Sequence, residues 1–68
     1  MTRVQISVSV PARIYEEIRA LRRKLILHIN NNISRAAVVR LLLYLGLKAA
    51  RGMDVEALLE IARREGLL

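Results

Sequence analysis

The sequence predicts a mainly α-helical protein with one N-terminal β-strand and a short third helix at its C-terminal end. Apolar and polar residues alternate strictly over residues 3–10, which is typical of a half-buried strand. Apolar residues then recur at helical spacing in three further stretches. The chain has 68 residues and no cysteine. A single domain of this size has a small core, and we expect an intertwined homodimer to complete it.

The N-terminal strand is predicted to have two different faces. Its apolar face consists of Val4, Ile6, Val8 and Val10. Its polar face consists of Arg3, Gln5, Ser7 and Ser9. A lone strand leaves its backbone N–H and C=O groups unpaired, and no second strand is evident in the chain. We therefore expect the strand of a second copy to pair with it, giving a two-stranded antiparallel ribbon between subunits.

The first helix is predicted to run from about Ala12 to about Leu27. Pro11 ends the strand, and its fixed φ suits the first turn of a helix. The apolar face of this helix consists of Ile14, Ile18, Leu21 and Leu25. Three consecutive asparagines at residues 30–32 then predict the break that follows.

Two more helices follow the asparagines. Ser34 is a good N-cap for the second, whose sequence "SRAAVVRLLLYLGLKAAR" is apolar around most of its circumference, so that a second subunit is needed to cover it. Asp54 is a plausible N-cap for the third helix, and Gly66 is placed to end it. We therefore assign residues 1–51 to the main domain and residues 52–68 to a C-terminal helical extension.

The charge of the chain predicts its partner. Twelve Lys and Arg stand against six Asp and Glu, for a net charge of +6. Residues 1–51 hold ten basic and two acidic residues, a net of +8, whereas residues 52–68 have a net of −2. A basic body predicts binding to nucleic acid or to an anionic membrane surface.

Other classes of function lack support in the sequence. His28 is the single histidine, and no nucleophile–base set or Gly-rich phosphate loop is present. We therefore expect no enzyme, no metal site and no cofactor. The uncharged runs are shorter than the roughly 20 apolar residues of a membrane span, and no signal-peptide pattern is visible. We expect a soluble, cytoplasmic protein.

Two short segments in this order, "VQISVSVP" and "NISRAAVVR", resemble those of the ribbon-helix-helix DNA-binding proteins, the Arc/MetJ/CopG group. The similarity covers residues 2 to about 51. Asn32 stands where this family usually has a left-handed glycine. Pro11 and Ser34 are 23 positions apart in the sequence, which is more than the family usually has.

The resemblance implies which residues contact DNA. The polar strand residues Gln5, Ser7 and Ser9 would read bases in the major groove, with Arg3 reaching guanine or a flanking phosphate. The start of the second helix would hold a phosphate, and the residues involved would be Ser34, Arg35 and Ala36.

The expected function is sequence-specific binding of double-stranded DNA by a homodimer that regulates transcription, most simply as a repressor. Higher-order assembly on DNA is left open. Two alternatives remain. One is an antitoxin-like regulator whose residues 54–65 bind a partner protein. The other is a basic amphipathic protein that lies on anionic membranes.

Overall fold

The computed structural model describes residues 2–68, and the protein is all-helical over that range. Its elements are α1 (Ala12–Ile29), α2 (Arg35–Ala50) and α3 (Val55–Arg64). No residue of this range lies in a β-strand. The predicted fold class, with its N-terminal strand and intersubunit ribbon, is therefore wrong.

The N-terminal segment, residues 2–10, has no regular secondary structure. No backbone hydrogen bond joins it to the rest of the described chain. The side chains of the predicted apolar face are exposed to solvent, with exposed fractions of 81% at Val4 and 76% at Val8. The physical reason is that a strand needs a neighbouring strand for its backbone groups, and residues 2–68 supply none. An alternating pattern of apolar and polar side chains does not show whether a neighbouring strand is present to pair with the backbone.

Helix α1 begins immediately after Pro11, as predicted. Pro11 has φ −56° and ψ 148°, and its carbonyl oxygen accepts the N–H groups of Ile14 and Tyr15 at 3.0 and 3.2 Å. The predicted apolar face is half-buried at every position. The helix extends two residues beyond the predicted end at Leu27, so part of the long interval between Pro11 and Ser34 is helical.

The turn that follows α1 is made by a different asparagine from the one expected. Asn30 is the C-cap of α1 in the left-handed conformation, with φ 52°. Among the non-glycine residues described, it alone has a positive φ, so the left-handed role assigned to Asn32 is wrong. All three asparagines tolerate this conformation, and the sequence does not distinguish them.

Helix α2 begins with the predicted cap. The Ser34 hydroxyl oxygen accepts the Ala37 N–H at 3.1 Å. The helix packs on α1, and it contributes the one buried hydrophobic side chain of the described chain, Val38, at 1% exposure. Much of the rest of the helix surface is uncovered, and its exposed apolar residues include Leu41, Leu43, Leu45 and Leu47. None of the helices described combines the length and apolarity that a bilayer crossing requires.

Helix α3 has both predicted ends. The Asp54 carboxylate accepts the Ala57 N–H at 2.8 Å. At the other end Gly66 has φ 68°, and the Leu67 N–H donates to the Ala62 carbonyl oxygen at 2.8 Å. This is the left-handed glycine closure of a helix. The helix is joined to α1 by an ion pair that lies beyond its last turn, between Arg13 and Glu65.

The isolated chain is extended for its size. Its radius of gyration is 14.0 Å, whereas a compact domain of this length has about 11 Å. Its accessible surface is 6293 Å², whereas a compact monomer of the same mass exposes roughly 4,300 Å². The chain therefore exposes on the order of 2,000 Å² more than a self-sufficient monomer would.

Candidate nucleic-acid interface

A groove of about 860 Å³ lies between the N-terminal segment and α2. Its polar lining residues are Arg3, Gln5, Arg35 and Arg40. Its apolar lining residues are Val4, Ile6, Ala36, Val39 and Leu43. We call this feature the basic groove and its three arginines the groove cations. Three of the basic residues of the chain thus share one concave surface.

The spacing of residues along α2 explains the groove wall. The helix contributes residues 35, 36, 39, 40 and 43, which recur at the three- and four-residue steps of a single helix face. The N-terminal segment contributes residues 3–6 from the other side. A helix face and an extended segment thus bring residues more than 30 positions apart in sequence to one surface.

The basic groove carries positive charge that the described chain leaves uncompensated. No Asp or Glu lines it. The ion pairs within residues 2–68 involve Arg13, Arg19 and Arg64, and none of the groove cations takes part in them. The groove also includes the first turn of α2, where the helix dipole adds about half a positive charge. The groove therefore favours an anionic ligand.

The first turn of α2 has hydrogen-bond donors to offer. Ser34 accepts the Ala37 N–H with its hydroxyl oxygen and the Val38 N–H with its carbonyl oxygen. Within residues 2–68, the N–H groups of Arg35 and Ala36 have no partner. Free N–H groups at a helix start are suited to a phosphate. The Ser34 hydroxyl can accept from Ala37 and still donate its own proton.

The structure brings together part of the predicted site. Arg3 and Gln5, expected at bases, share the groove with Arg35 and Ala36, expected at a phosphate. The remaining predicted residues lie outside the groove lining, and they are Ser7, Ser9 and Ser34. Ser7 and Ser9 are exposed on the N-terminal segment, and Ser34 caps the helix that forms the groove wall.

Sequence reasoning missed one groove cation and two supporting residues. Arg40 was not among the predicted site residues, although it follows Ala36 by four positions and so shares its face. Arg22 bonds to the turn before α2, and Tyr15 accepts a hydrogen bond from Arg35; neither contact is evident from the sequence pattern.

Tyr15 of α1 lies close to two arginines, and one of them, Arg35, lines the groove. Arg35 donates from Nη1 to the Tyr15 hydroxyl oxygen at 3.2 Å, and its Cζ lies 5.7 Å from the ring centroid. The Arg19 Cζ lies 6.0 Å from the same centroid. These are distances at which a guanidinium is attracted to an aromatic face. We call these three residues the tyrosine cluster.

No metal site accompanies the groove in the part of the chain that the structure describes, since no three His, Asp or Glu side chains come together there. Comparisons of the chain with protein-family models, with curated proteins and with solved structures find no match.

Proposed function

We propose that the protein is a homodimeric transcription regulator that binds double-stranded DNA through the basic groove. The observation that carries this proposal is the convergence of three arginines, a glutamine and the start of α2 on one surface without a carboxylate. Arginine is suited to phosphate because its planar fork of donors matches the phosphate oxygens. Uncompensated positive charge supplies most of the sequence-independent affinity for DNA.

A duplex suits this chain better than a single strand does. Proteins that bind single strands stack successive bases on aromatic side chains. The chain has two tyrosines and no Phe or Trp, and Tyr15 is already flanked by Arg19 and Arg35. Few rings remain for stacking. In a duplex the phosphates are the accessible groups, and the groove cations are matched to them.

Gln5 gives the groove a means of reading sequence. Its amide can donate to and accept from the major-groove edge of adenine, which phosphate contacts cannot replace. Gln5 lies on the exposed N-terminal segment, next to Arg3. We assign base contact to these two residues, together with the exposed Ser7 and Ser9. The paired ribbon that the family resemblance implied is not part of this proposal.

The homodimer is supported by the surface that the chain leaves open. An excess of roughly 2,000 Å² per chain over a compact monomer corresponds to about 4,000 Å² for two chains. Obligate dimers bury on the order of 2,000–5,000 Å². The exposed α2 leucines outside the groove lining are suited to such an interface, and they include Leu41, Leu45 and Leu47. A second copy that covered them would leave the groove cations to solvent.

Binding to DNA and to membranes can be separated by one set of titrations. The dimeric protein is titrated with a labelled duplex, with a single strand of the same length, and with vesicles containing anionic lipid. The proposal predicts tighter binding to the duplex than to the single strand and little retention on vesicles. Preferential binding to vesicles would overturn it.

The groove itself is tested by a charge-matched pair of variants. Arg35→Ala and Arg23→Ala each remove one positive charge. Arg35 lines the groove, whereas Arg23 is exposed on α1 and lies outside the lining. We expect Arg35→Ala to weaken duplex binding several-fold more than Arg23→Ala does, equally on all sequences. Equal losses would place the DNA elsewhere on the surface.

A further inference from the structure

We propose that Tyr15 is a positioning residue for Arg35, and that the tyrosine cluster forms a second phosphate-binding point beside the start of α2. This inference rests on the proposed DNA-binding function and extends it to α1. It assigns Tyr15 and Arg19 roles in binding a DNA phosphate, although neither lines the basic groove.

The geometry fixes a side chain that is otherwise flexible. Arg35 is exposed at the first position of α2, where its long side chain has many rotamers. Tyr15 restrains it twice, through the hydrogen bond from Nη1 at 3.2 Å and through the ring at 5.7 Å. An arginine that is already placed loses less conformational freedom when it binds. Tyr15 therefore prepares Arg35 for its ligand.

The restraint leaves most of the guanidinium available. A guanidinium has five N–H donors, and the bond to Tyr15 occupies one of them. Within the described residues, Arg35 makes no ion pair. Its remaining donors can therefore bind an oxygen anion while the contact with Tyr15 persists.

Arg19 brings a second positive charge to the same ring. Within the described residues, Arg19 makes one ion pair, an exposed contact at 3.6 Å between its Nη1 and Glu16, which contributes little. The Arg19 guanidinium therefore remains available to an anion, and its charge adds to the attraction that Arg35 exerts on a phosphate.

The chain contains a matched control for this arrangement. Tyr44 and Lys48 form the same kind of pair on α2, with Nζ 5.6 Å from the ring centroid. Neither residue lines the groove. A general effect of losing a tyrosine–cation contact should therefore appear equally in Tyr44→Leu and Tyr15→Leu, whereas a positioning effect should appear in Tyr15→Leu alone.

The test is a double-mutant cycle on duplex affinity with Tyr15→Leu, Arg35→Ala and the double variant. We expect Tyr15→Leu to weaken binding about 3- to 10-fold, a typical size for one charge-assisted contact. We expect it to have no further effect once Arg35 is replaced, and we expect Tyr44→Leu to have none. The proposal would be overturned if the fold-losses of the two single variants multiplied in the double variant. It would also be overturned if Tyr15→Leu bound duplex as tightly as the wild type.

Two further variants distinguish a structural role of Tyr15 from a positioning role. Tyr15→Phe retains the ring and removes the acceptor, so we expect an affinity between those of the wild type and Tyr15→Leu, with an unchanged thermal midpoint. Arg19→Ala should weaken duplex binding and reduce its salt dependence by about two ions, one for each chain of the dimer. A Tyr15→Phe affinity that falls only in proportion to the thermal midpoint would mean that Tyr15 merely joins two helices.

Inorganic phosphate tests the cluster without DNA. In the wild-type protein, phosphate should shift the NMR signals of the Arg19 and Arg35 Nε–H groups, and these shifts should be lost in Tyr15→Leu. If the protein bound phosphate in this way but no duplex, the proposed function would fail and the cluster would stand. If it bound duplex but showed no phosphate-dependent shifts at these arginines, the cluster would fail alone.

Discussion

Arg22 of α1 donates from Nε to the carbonyl oxygen of Ile33 at 2.7 Å. This bond ties the middle of the first helix to the residue just before the cap of α2. A second donor of the same guanidinium, Nη2, lies 3.4 Å from the Asn32 side-chain oxygen. Arg22 thus fixes the turn from which the phosphate-facing end of α2 begins.

Replacing Arg22 should loosen that turn. Arg22→Ala removes a part-buried, charge-assisted hydrogen bond and leaves the Ile33 carbonyl without its partner. We expect a loss of about 1–3 kcal/mol in the free energy of unfolding, measured by urea denaturation. Arg23→Ala is the control, because it removes the same charge from an exposed position and should cost less than about 0.5 kcal/mol. Equal costs would show that the bond to Ile33 does not stabilise the fold.

Asn30 should respond to substitution according to its backbone conformation. Its φ of 52° is readily adopted by Gly, whereas this backbone conformation is less stable for Ala by roughly 1–2 kcal/mol. We expect Asn30→Gly to keep or raise the thermal midpoint and Asn30→Ala to lower it. A higher thermal midpoint in Asn30→Ala than in Asn30→Gly would contradict the left-handed turn at this position.

Val38, the one fully buried hydrophobic side chain among residues 2–68, should be sensitive to truncation. Val38→Ala removes two methyl groups from the α1–α2 contact, and we expect a loss of about 1.5–2.5 kcal/mol in unfolding free energy. Val55→Ala makes the same change on the exposed surface of α3 and should cost much less. A comparable loss at Val55 would mean that α3 is covered in the assembled protein.

Dimerisation should be visible in the thermal midpoint. When folding and association are linked, the midpoint rises with protein concentration. Leu45 is exposed in the single chain, so Leu45→Lys would be harmless to a monomer. In a dimer that covers α2 it would bury a charge, and we expect dissociation or unfolding. A concentration-independent midpoint with a monomer mass in analytical ultracentrifugation would refute the dimer.

Sequence recognition should depend on Gln5. We expect Gln5→Ala to cost about 1–3 kcal/mol on a duplex selected from random sequences, and to leave affinity for random DNA nearly unchanged because no charge is lost. Folding should be unaffected, since Gln5 is exposed. Equal losses on both duplexes, or no loss on either, would show that another residue reads the bases.

The helices were predictable from sequence because their signals are local. Ser34 and Asp54 accept N–H groups three residues ahead, and Gly66 takes the positive φ that ends α3. Each of these features involves a few consecutive residues, as do the helical repeats of apolar side chains. The strand was different, because its stability depends on a partner whose existence no alternation pattern can establish.

The site was only partly predictable, for a related reason. Arg3, Gln5, Arg35 and Ala36 were singled out by the family resemblance, and they share one groove. The contact between Tyr15 and Arg35 joins residues 20 positions apart, and the bond from Arg22 spans 11. Such contacts depend on how two helices pack, which the sequence pattern leaves undetermined. Which asparagine adopts the left-handed turn was equally undetermined.

The proposal that the basic groove binds duplex DNA is decided by the salt dependence of affinity. Fluorescence anisotropy of a labelled duplex would be recorded over a range of salt concentrations. Arg35 and Arg40 are the groove cations assigned to phosphates, and a dimer has two copies of each. With these four contacts, the logarithm of affinity should fall against the logarithm of salt with a slope of about −4. Arg35→Ala should reduce the magnitude of that slope by about two, one for each chain. A flat salt response, or an unchanged slope in Arg35→Ala, would contradict DNA binding by this groove.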